Sequence, residues 1–311
     1  MKKNNNLNFA FFGTPDVASE TLKILKESDY LPSLIVTSPD AKSGRGLQTQ
    51  ASPVAIFAEK NNIPCLKLEK PTEKEVRDVL GTLGRSDGDG QRKFSAENFR
   101  GEQNIADFFL VVAYGKIIPE DILNMPKFGS INIHYSLLPK YRGASPVESA
   151  ILNGDTETGV SIQKMKYELD SGNIIAQEKV EILPDEKAPD LRKRLIKIGG
   201  DLLVKILKTP FVEGEKQDES KATFCQKIKK EDGLIDLNDN AIKNYNKFRA
   251  YAYWPRIFFF SALGGSASGG KDGKRVVITD AALENNKFII KKVTPEGKKE
   301  TDWEIFLSKN K

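Results

Sequence analysis

The chain of 311 residues contains a single histidine, His134, and only two cysteines, Cys65 and Cys225. One imidazole excludes a histidine-rich metal site, and two cysteines exclude a structural zinc site with the usual four ligands. Because the cysteines stand far apart in the sequence, no disulfide framework is indicated, and we expect a reducing compartment. The composition therefore excludes these two kinds of metal site.

Long apolar segments are also lacking. The longest apolar run, residues 108–115, is less than half of the roughly 18 residues that indicate a membrane-spanning helix. The apolar stretch at residues 7–13 is cut at once by Thr14, Pro15 and Asp16, so it is too short for the core of a signal peptide. We expect a cytoplasmic protein that does not enter a membrane.

The phosphate-binding motifs of common nucleotide enzymes are missing. The turn after the first apolar strand contains Gly13, Thr14, Pro15 and Asp16, with no G-x-G-x-x-G fingerprint leading into a helix. This absence argues against a nicotinamide or flavin dehydrogenase. The chain also lacks a G-x-x-x-x-G-K-[ST] phosphate loop.

What the chain does contain is a regular alternation of strand and helix signals. Short apolar runs predict strands at 8–13, 31–38, 63–68, 107–114 and 129–136, and apolar periodicity predicts helices at 17–28, 53–62, 73–83 and near 146–152. A hairpin at 158–166 and 173–182 and a helix at 189–208 complete the pattern. We therefore predict an α/β fold, with a Rossmann-like, mostly parallel sheet covered by helices on both faces.

Composition divides the chain into regions. We predict a first domain at 1–210, a polar linker at 211–232 and a small second domain at 233–311. Strand signals at 256–262, 274–283 and 286–293 favour a small barrel or an antiparallel sheet in the second domain. Residues 84–104 are rich in glycine and charge and lack periodicity, which is typical of a mobile surface insertion.

The positive charge of the chain is unevenly placed. The net charge is +5, and residues 208–311 hold 20 Lys+Arg against 15 Asp+Glu, so the whole surplus lies in the last third. A basic module beside a neutral one fits contact with a polyanion such as nucleic acid. On charge alone, a solvated lysine-rich surface explains the excess at least as well.

The only histidine lies at the end of a predicted strand, with Asn132 two residues before it, so both side chains project from one face. Taken alone, two such residues more often only form hydrogen bonds at the end of the strand. A rigid proline-containing loop at 136–146 follows, however, and Asp170 lies in a turn that can return a carboxylate to the sheet edge. Amide, imidazole and carboxylate form a complete set for acyl transfer to an amine. No serine or cysteine nucleophile is apparent, which favours direct attack by the amine.

These residues resemble those of the folate-dependent formyltransferases. The resemblance is carried by Asn132-x-His134, by SLLPKYRGASP at 136–146 and by LDSG at 169–172. The segments FFGTPDVASETL (11–22), SPDAKSGRG (38–46) and VVAYGKIIP (111–119) are similar to the branch of that family that formylates methionyl-tRNA. The match spans most of residues 8–210 and, more loosely, the last hundred residues.

The resemblance implies a transferase that moves a formyl group from 10-formyltetrahydrofolate to the α-amino group of methionyl initiator tRNA, for translation initiation. It implies that Asn132, His134 and Asp170 are catalytic, that Lys42 and Arg45 contact the tRNA, and that no metal takes part. It further implies an edge for the formyl donor made of Val112, Ala113, Tyr114, Gly115, Ile117, Ser136, Leu137, Leu138, Pro139, Arg142 and Gly143.

The second domain then corresponds to an OB-like β-barrel that contacts tRNA, and we expect Trp254 and the nearby phenylalanines in its core. We expect a monomer. A formyltransferase that acts on an amino-sugar nucleotide or a purine precursor would keep the same three residues, and so remains an alternative, as does a non-catalytic tRNA-binding relative. Arg142 either serves the site or pairs with a carboxylate for structural reasons, and the sequence leaves that choice open.

Overall fold

The computed structural model describes residues 7–43, 48–83, 106–210, 212–261 and 273–309. Two predictions, the insertion at 84–104 and the role of Arg45, lie outside the described residues. None of the helices in the described ranges combines the length and the apolar character needed to span a bilayer.

The strands are β1 Phe9–Gly13, β2 Leu34–Thr37, β3 Ala41–Ser43, β4 Gln48–Gln50, β5 Cys65–Lys67, β6 Phe108–Val112, β7 Ser130–His134, β8 Arg142–Gly143, β9 Glu157–Lys164, β10 Ile174–Glu181, β11 Phe224–Cys225, β12 Phe258–Ser261, β13 Lys274–Glu284, β14 Lys287–Pro295 and β15 Thr301–Asp302. The helices are α1 Asp16–Glu27, α2 Pro53–Lys60, α3 Glu73–Leu83, α4 Glu120–Leu123, α5 Pro146–Leu152, α6 Ala188–Leu207, α7 Ala241–Ala250 and α8 Trp303–Ser308.

A seven-stranded sheet in the order β10-β9-β7-β6-β1-β2-β5 forms the centre of the fold. The five strands β7, β6, β1, β2 and β5, which are neighbours in this order, pair in parallel. Strand β9 pairs antiparallel with β7. The predicted Rossmann-like, mostly parallel α/β sheet is therefore confirmed. In open sheets of this kind, ligands bind beyond the carboxyl ends of the parallel strands, which places the end of β7 at a candidate site.

Both faces of the central strands are buried, as expected for parallel strands between helices. Alternate residues of β1, β2 and β6 pack with α3 and α4 in one apolar cluster, which includes Phe12, Val36 and Phe109. On the opposite face of these strands, the rings of Phe9 and Phe108 stack with their centroids 4.9 Å apart. Within the apolar runs at 8–13 and 107–114, the strands Phe9–Gly13 and Phe108–Val112 are thus buried throughout.

The chain divides into two compact units. The first comprises Met1–Pro139, Val160–Glu178 and Leu195–Ala222, and the second comprises Lys140–Gly159, Lys179–Arg194 and Thr223–Lys311. The second unit contains a four-stranded antiparallel sheet in the order β12-β13-β14-β15. This sheet agrees with the predicted small β-domain near the carboxyl terminus.

Aromatic packing stabilises the second unit. The ring of Phe259 lies edge-on to Trp303 and to Phe306, at centroid distances of 5.9 and 6.4 Å. Phe258 and Phe259 are buried, as the sequence predicts, but Trp254 is 50% exposed, so the expectation that it lies in the core is wrong. The reason is local: β12 begins only at Phe258, so Trp254 belongs to the turn that precedes the strand rather than to the sheet.

Candidate active site

Asn132 and His134 project from the same face of β7. His134 is buried and Asn132 is half-buried. The Nδ2 amide of Asn132 donates a hydrogen bond of 3.0 Å to the carbonyl oxygen of Val111 on β6. Because a carboxamide nitrogen carries two hydrogens, this bond leaves the second N–H of Asn132 for a substrate oxygen.

Asp170 stands close to the imidazole. Its Oδ2 oxygen lies 3.6 Å from Nδ1 of His134, an ion-pair distance when the imidazole is protonated. The two side chains are only 14% and 7% exposed, so water screens their attraction weakly. With the carboxylate at Nδ1, the opposite ring nitrogen of His134 is the one placed to exchange a proton with a substrate.

The turn that carries Asp170 is held in an unusual conformation. The φ angle of Asp170 is 50°, in the left-handed region that residues with a Cβ atom seldom adopt. Two residues after it, a Cβ atom on Gly172 would lie 1.6 Å from the carbonyl oxygen of Lys164, so only glycine fits there. Close packing of the turn against β9 therefore fixes the backbone that presents the carboxylate.

Gln217 also holds this turn, through hydrogen bonds to its backbone. This buried glutamine follows α6, within the segment predicted as a linker. Its Nε2 amide donates to the carbonyl oxygens of Asp170, at 2.8 Å, and Gly172, at 2.7 Å. Glu215, nearby in the chain, forms a backbone bridge with Ile174 at the start of β10. The start of this segment is thus part of the packed scaffold around Asp170.

Gln163 on β9 joins the candidate catalytic residues to one another. It lies directly across the antiparallel pairing from Asn132. Its Nε2 amide is 2.9 Å from Oδ1 of Asp170 and 3.3 Å from Oδ1 of Asn132. The structure therefore brings together all three residues that the sequence singles out, with a fourth polar side chain between two of them.

The loop after β6 offers the features that a flat heteroaromatic ligand requires. Ala113, Gly115 and Ile117 are exposed, and Ala113 and Gly115 have φ angles of 46° and 76°. Exposed peptide groups can pair with the polar edge of a pterin-like ring, and the Ile117 side chain, 79% exposed, supplies apolar surface. Val112, at the end of β6, is buried, and contact of this loop with a folate stays a prediction. A residue with a Cβ atom held at positive φ also occurs more often at functional sites than elsewhere.

Tyr114 points the other way, into the core. Its ring packs edge-on to Phe12 at 5.6 Å, and its carbonyl oxygen accepts a hydrogen bond from Thr14. Burial raises the pKa of Tyr114 to about 12, with a smaller contribution from Glu69. Its hydroxyl has no hydrogen-bond partner among the described residues. The Tyr114 side chain therefore anchors the loop, and at this position only the backbone is placed to meet a ligand.

The loop that follows His134 is fixed by β9 and β10. Ser161 donates through Oγ to the carbonyl oxygen of Ser136 at 2.6 Å and accepts from the Leu138 amide at 3.0 Å. Gln177 donates to the Leu138 carbonyl oxygen at 2.8 Å. Ser136 and Leu138 are buried, whereas Leu137 and Pro139 are half-buried and are better placed to touch a donor.

Arg142 and Gly143 belong to the second unit, where they form β8 and pair in parallel with β11. Arg142 is buried, and its backbone amide donates to the Thr223 carbonyl oxygen at 2.8 Å. A Cβ atom on Gly143 would lie 2.1 Å from the carbonyl oxygen of Cys225. These contacts explain the glycine by packing, and a role of either residue toward a formyl donor stays a prediction.

Lys42 lies on a two-stranded ribbon. It is exposed on β3 and pairs with Thr49 on β4. The chain is therefore paired on both sides of residues 44–47, which include Arg45 and lie outside the described residues. A contact of Lys42 or Arg45 with tRNA remains a prediction.

Sequence reasoning missed Gln163 and Gln217. For Gln163 the sequence contains little signal, because strand alternation places it with Ser161 on the face opposite to the apolar Val160 and Ile162. For Gln217 no signal existed, since polar residues surround it on both sides.

Comparison with known proteins gives a consistent result. The family model described as formyl transferase matches residues 7–207, and the model described as formyl transferase, C-terminal domain, matches residues 227–288. A methionyl-tRNA formyltransferase of Carboxydothermus hydrogenoformans is 34% identical over 320 aligned positions, which cover 97% of this chain and 96% of the relative. One from Sulfurihydrogenibium is 38% identical over 251 residues, covering 80% of this chain and 74% of the relative.

A solved structure shares the fold. It is the N-formyltransferase from Helicobacter canadensis in complex with folinic acid and dTDP-3-aminofucose, with a TM-score of 0.59 and 17% identity, covering 91% of this chain and 98% of that one. At this identity the similarity concerns the fold alone.

Proposed function

The chain belongs to the formyl transferase family, and from that premise we propose that it transfers a formyl group from 10-formyltetrahydrofolate to the α-amino group of methionyl initiator tRNA. The observation that carries the proposal is the cluster of Asn132, His134 and Asp170 at the end of β7, in a chain that aligns over nearly its whole length with a methionyl-tRNA formyltransferase. Translation initiation in the cytoplasm is the process that uses this product.

When bound, the folate supplies an electrophilic formyl carbon. In the reaction, a bond forms between the amine nitrogen and that carbon, and the bond from the carbon to the folate nitrogen breaks. The amine loses one proton and the folate nitrogen gains one, so the reaction needs no oxidant.

Each of the three residues has a distinct part. The second Nδ2 hydrogen of Asn132 donates to the formyl oxygen as negative charge develops on it. His134 moves the proton between the amine and the leaving nitrogen. Asp170, with Oδ2 3.6 Å from Nδ1 of His134, orients the imidazole. The folate would be held by the exposed loop at 113–117 and by Leu137 and Pro139.

The three catalytic residues come from one chain, so a monomer suffices for the chemistry. We propose that Lys42 and Arg45 lie at the tRNA contact, and that the basic last third of the chain adds to it. An amino-sugar acceptor is less well supported, because the relatives above 30% identity that we compare carry the name methionyl-tRNA formyltransferase and the sugar enzyme shares the fold alone.

A single-turnover formylation assay tests the assignment. We expect His134→Ala and Asn132→Ala each to lower the rate about 10²-fold or more, the usual cost of losing a proton-transfer group or an oxyanion donor. Thr158→Val is the matched control, since its buried hydroxyl on β9 has no partner among the described residues. Rates within a few-fold of the parent for both alanine variants would refute the roles. Faster transfer to an amino-sugar nucleotide than to methionyl-tRNA would refute the acceptor.

A further inference from the structure

Gln163 occupies a position where a polar side chain is costly. It is 1% exposed, in the interior of the seven-stranded sheet. Burying a carboxamide costs free energy unless its polar atoms are hydrogen-bonded, and an apolar residue of the same size would avoid that cost. Val160 and Ile162, whose side chains point to the opposite face of β9, are of this apolar kind and equally buried.

The hydrogen bonds of Gln163 are asymmetric. Its Nε2 amide has two acceptors, the Oδ1 atoms of Asp170 and Asn132. Its Oε1 oxygen is buried and has no partner among the described residues. A side chain selected for stability would satisfy both ends, because an unpaired buried acceptor is destabilising. Its two contacts are instead made with two of the three proposed catalytic residues.

Both contacts orient a catalytic group. The bond to Asn132 Oδ1 fixes the carboxamide so that Nδ2 faces Val111 and keeps its second N–H for the substrate. The bond to Asp170 Oδ1 leaves Oδ2 as the oxygen that faces His134. Groups held in their working geometry before the substrate binds need no reorganisation during the reaction.

We propose that Gln163 is a positioning residue that fixes the orientations of the Asn132 carboxamide and the Asp170 carboxylate relative to each other. The inference rests on the proposed formyl transfer for its kinetic test. Gln163 itself does not touch the reacting atoms; it acts through Asn132 and Asp170.

Two variants of equal side-chain length test the proposal. Gln163→Met keeps the volume and removes the donor. Gln163→Glu keeps the shape and places carboxylate oxygens against Asp170, the one ionisable side chain that a described hydrogen bond joins to Gln163. Thr158→Val, on the same strand, is the control for a buried polar-to-apolar change.

For Gln163→Met we expect kcat to fall about tenfold, which corresponds to about 1.4 kcal/mol, with KM for both substrates within twofold of the parent. Gln163→Glu should lose more at neutral pH, because like charges repel. As the pH is lowered, the introduced carboxyl takes up a proton and regains a donor, so its activity should rise relative to Gln163→Met. A kcat for Gln163→Met within twofold of the control, or a pH-independent ratio of the two variants, would overturn the proposal.

A second readout does not depend on activity. Since His134 is the only histidine, its ring protons give the only histidine signals in a proton NMR spectrum. If Gln163 positions Asp170 beside the ring, Gln163→Met should move these signals at fixed pH, and Thr158→Val should not. Unmoved signals would reject the positioning role even if the parent formylates. Moved signals with an inactive parent would retain it while rejecting the proposed reaction.

Discussion

Replacing Gln217 by methionine tests whether the segment after α6 belongs to the active-site scaffold. Methionine keeps the length and apolar volume of the side chain, so no cavity term enters. What it removes are the hydrogen bonds of 2.8 and 2.7 Å to the Asp170 and Gly172 carbonyl oxygens. A neutral hydrogen bond contributes about 1 kcal/mol net. The two bonds therefore predict a loss of about 2 kcal/mol in the free energy of unfolding.

The measurement is urea unfolding followed by circular dichroism, with ΔG extrapolated to water. Lys216→Met is the matched control, because Lys216 is the exposed neighbour of buried Gln217. We expect the control to stay within about 0.5 kcal/mol of the parent, as exposed substitutions usually do. A Gln217→Met variant as stable as Lys216→Met would refute the reasoning, and would mean that the turn at Asp170 is held by β9 alone. Loss of stability should be accompanied by slower formyl transfer, since the same bonds position Asp170.

Two further predictions concern the scaffold. Gly172→Ala should displace the turn and lower formyl transfer more than Gln217→Met does, because its Cβ atom would overlap the Lys164 carbonyl oxygen; an alanine variant with parental rates would contradict this. Tyr114→Phe removes a buried hydroxyl without a described partner, so urea unfolding at pH 8 should show a variant at least as stable as the parent. Burial raises the pKa of Tyr114 to about 12 in the folded state. Ionisation of this tyrosine therefore does not affect the free energy of unfolding below the unfolded pKa near 10. Between pH 10 and 12 it lowers the stability of the parent by about 1.4 kcal/mol per pH unit at most. The stability difference between phenylalanine variant and parent should therefore widen above pH 10, and an unchanged difference would contradict the assigned burial effect.

Local rules predicted most of the first unit. Helix α2 begins at Pro53, as the sequence predicts, because Ser52 accepts a hydrogen bond from the Ala55 amide and proline suits the first helical position. The common orientation of Asn132 and His134 followed from the two-residue period of a strand. Such features depend on neighbours in sequence, which a reader of the sequence can see.

Pairing between distant segments was not predictable in the same way. That Gln163 faces Asn132 depends on the register of two strands joined by more than twenty residues. That Gln217 reaches Asp170 depends on how the chain returns after α6. The expectation that Trp254 is buried was wrong for a related reason. A large aromatic side chain is usually buried, but Trp254 precedes β12, and the sequence does not show where that strand begins. These features are set by tertiary packing rather than by local pattern.

The antiparallel pairing of β9 with β7 has a consequence for deletions. Residues on a strand alternate between faces, so removing one residue from the first half of β9 would turn Gln163 and Ser161 to the opposite face of the sheet. Removing two residues would shift both side chains by two positions along β7 and keep them on the same face. A deletion series through β9 should therefore show an odd–even alternation in activity. In the loop between β10 and α6, which contributes none of these side chains, changes of length should show no such alternation.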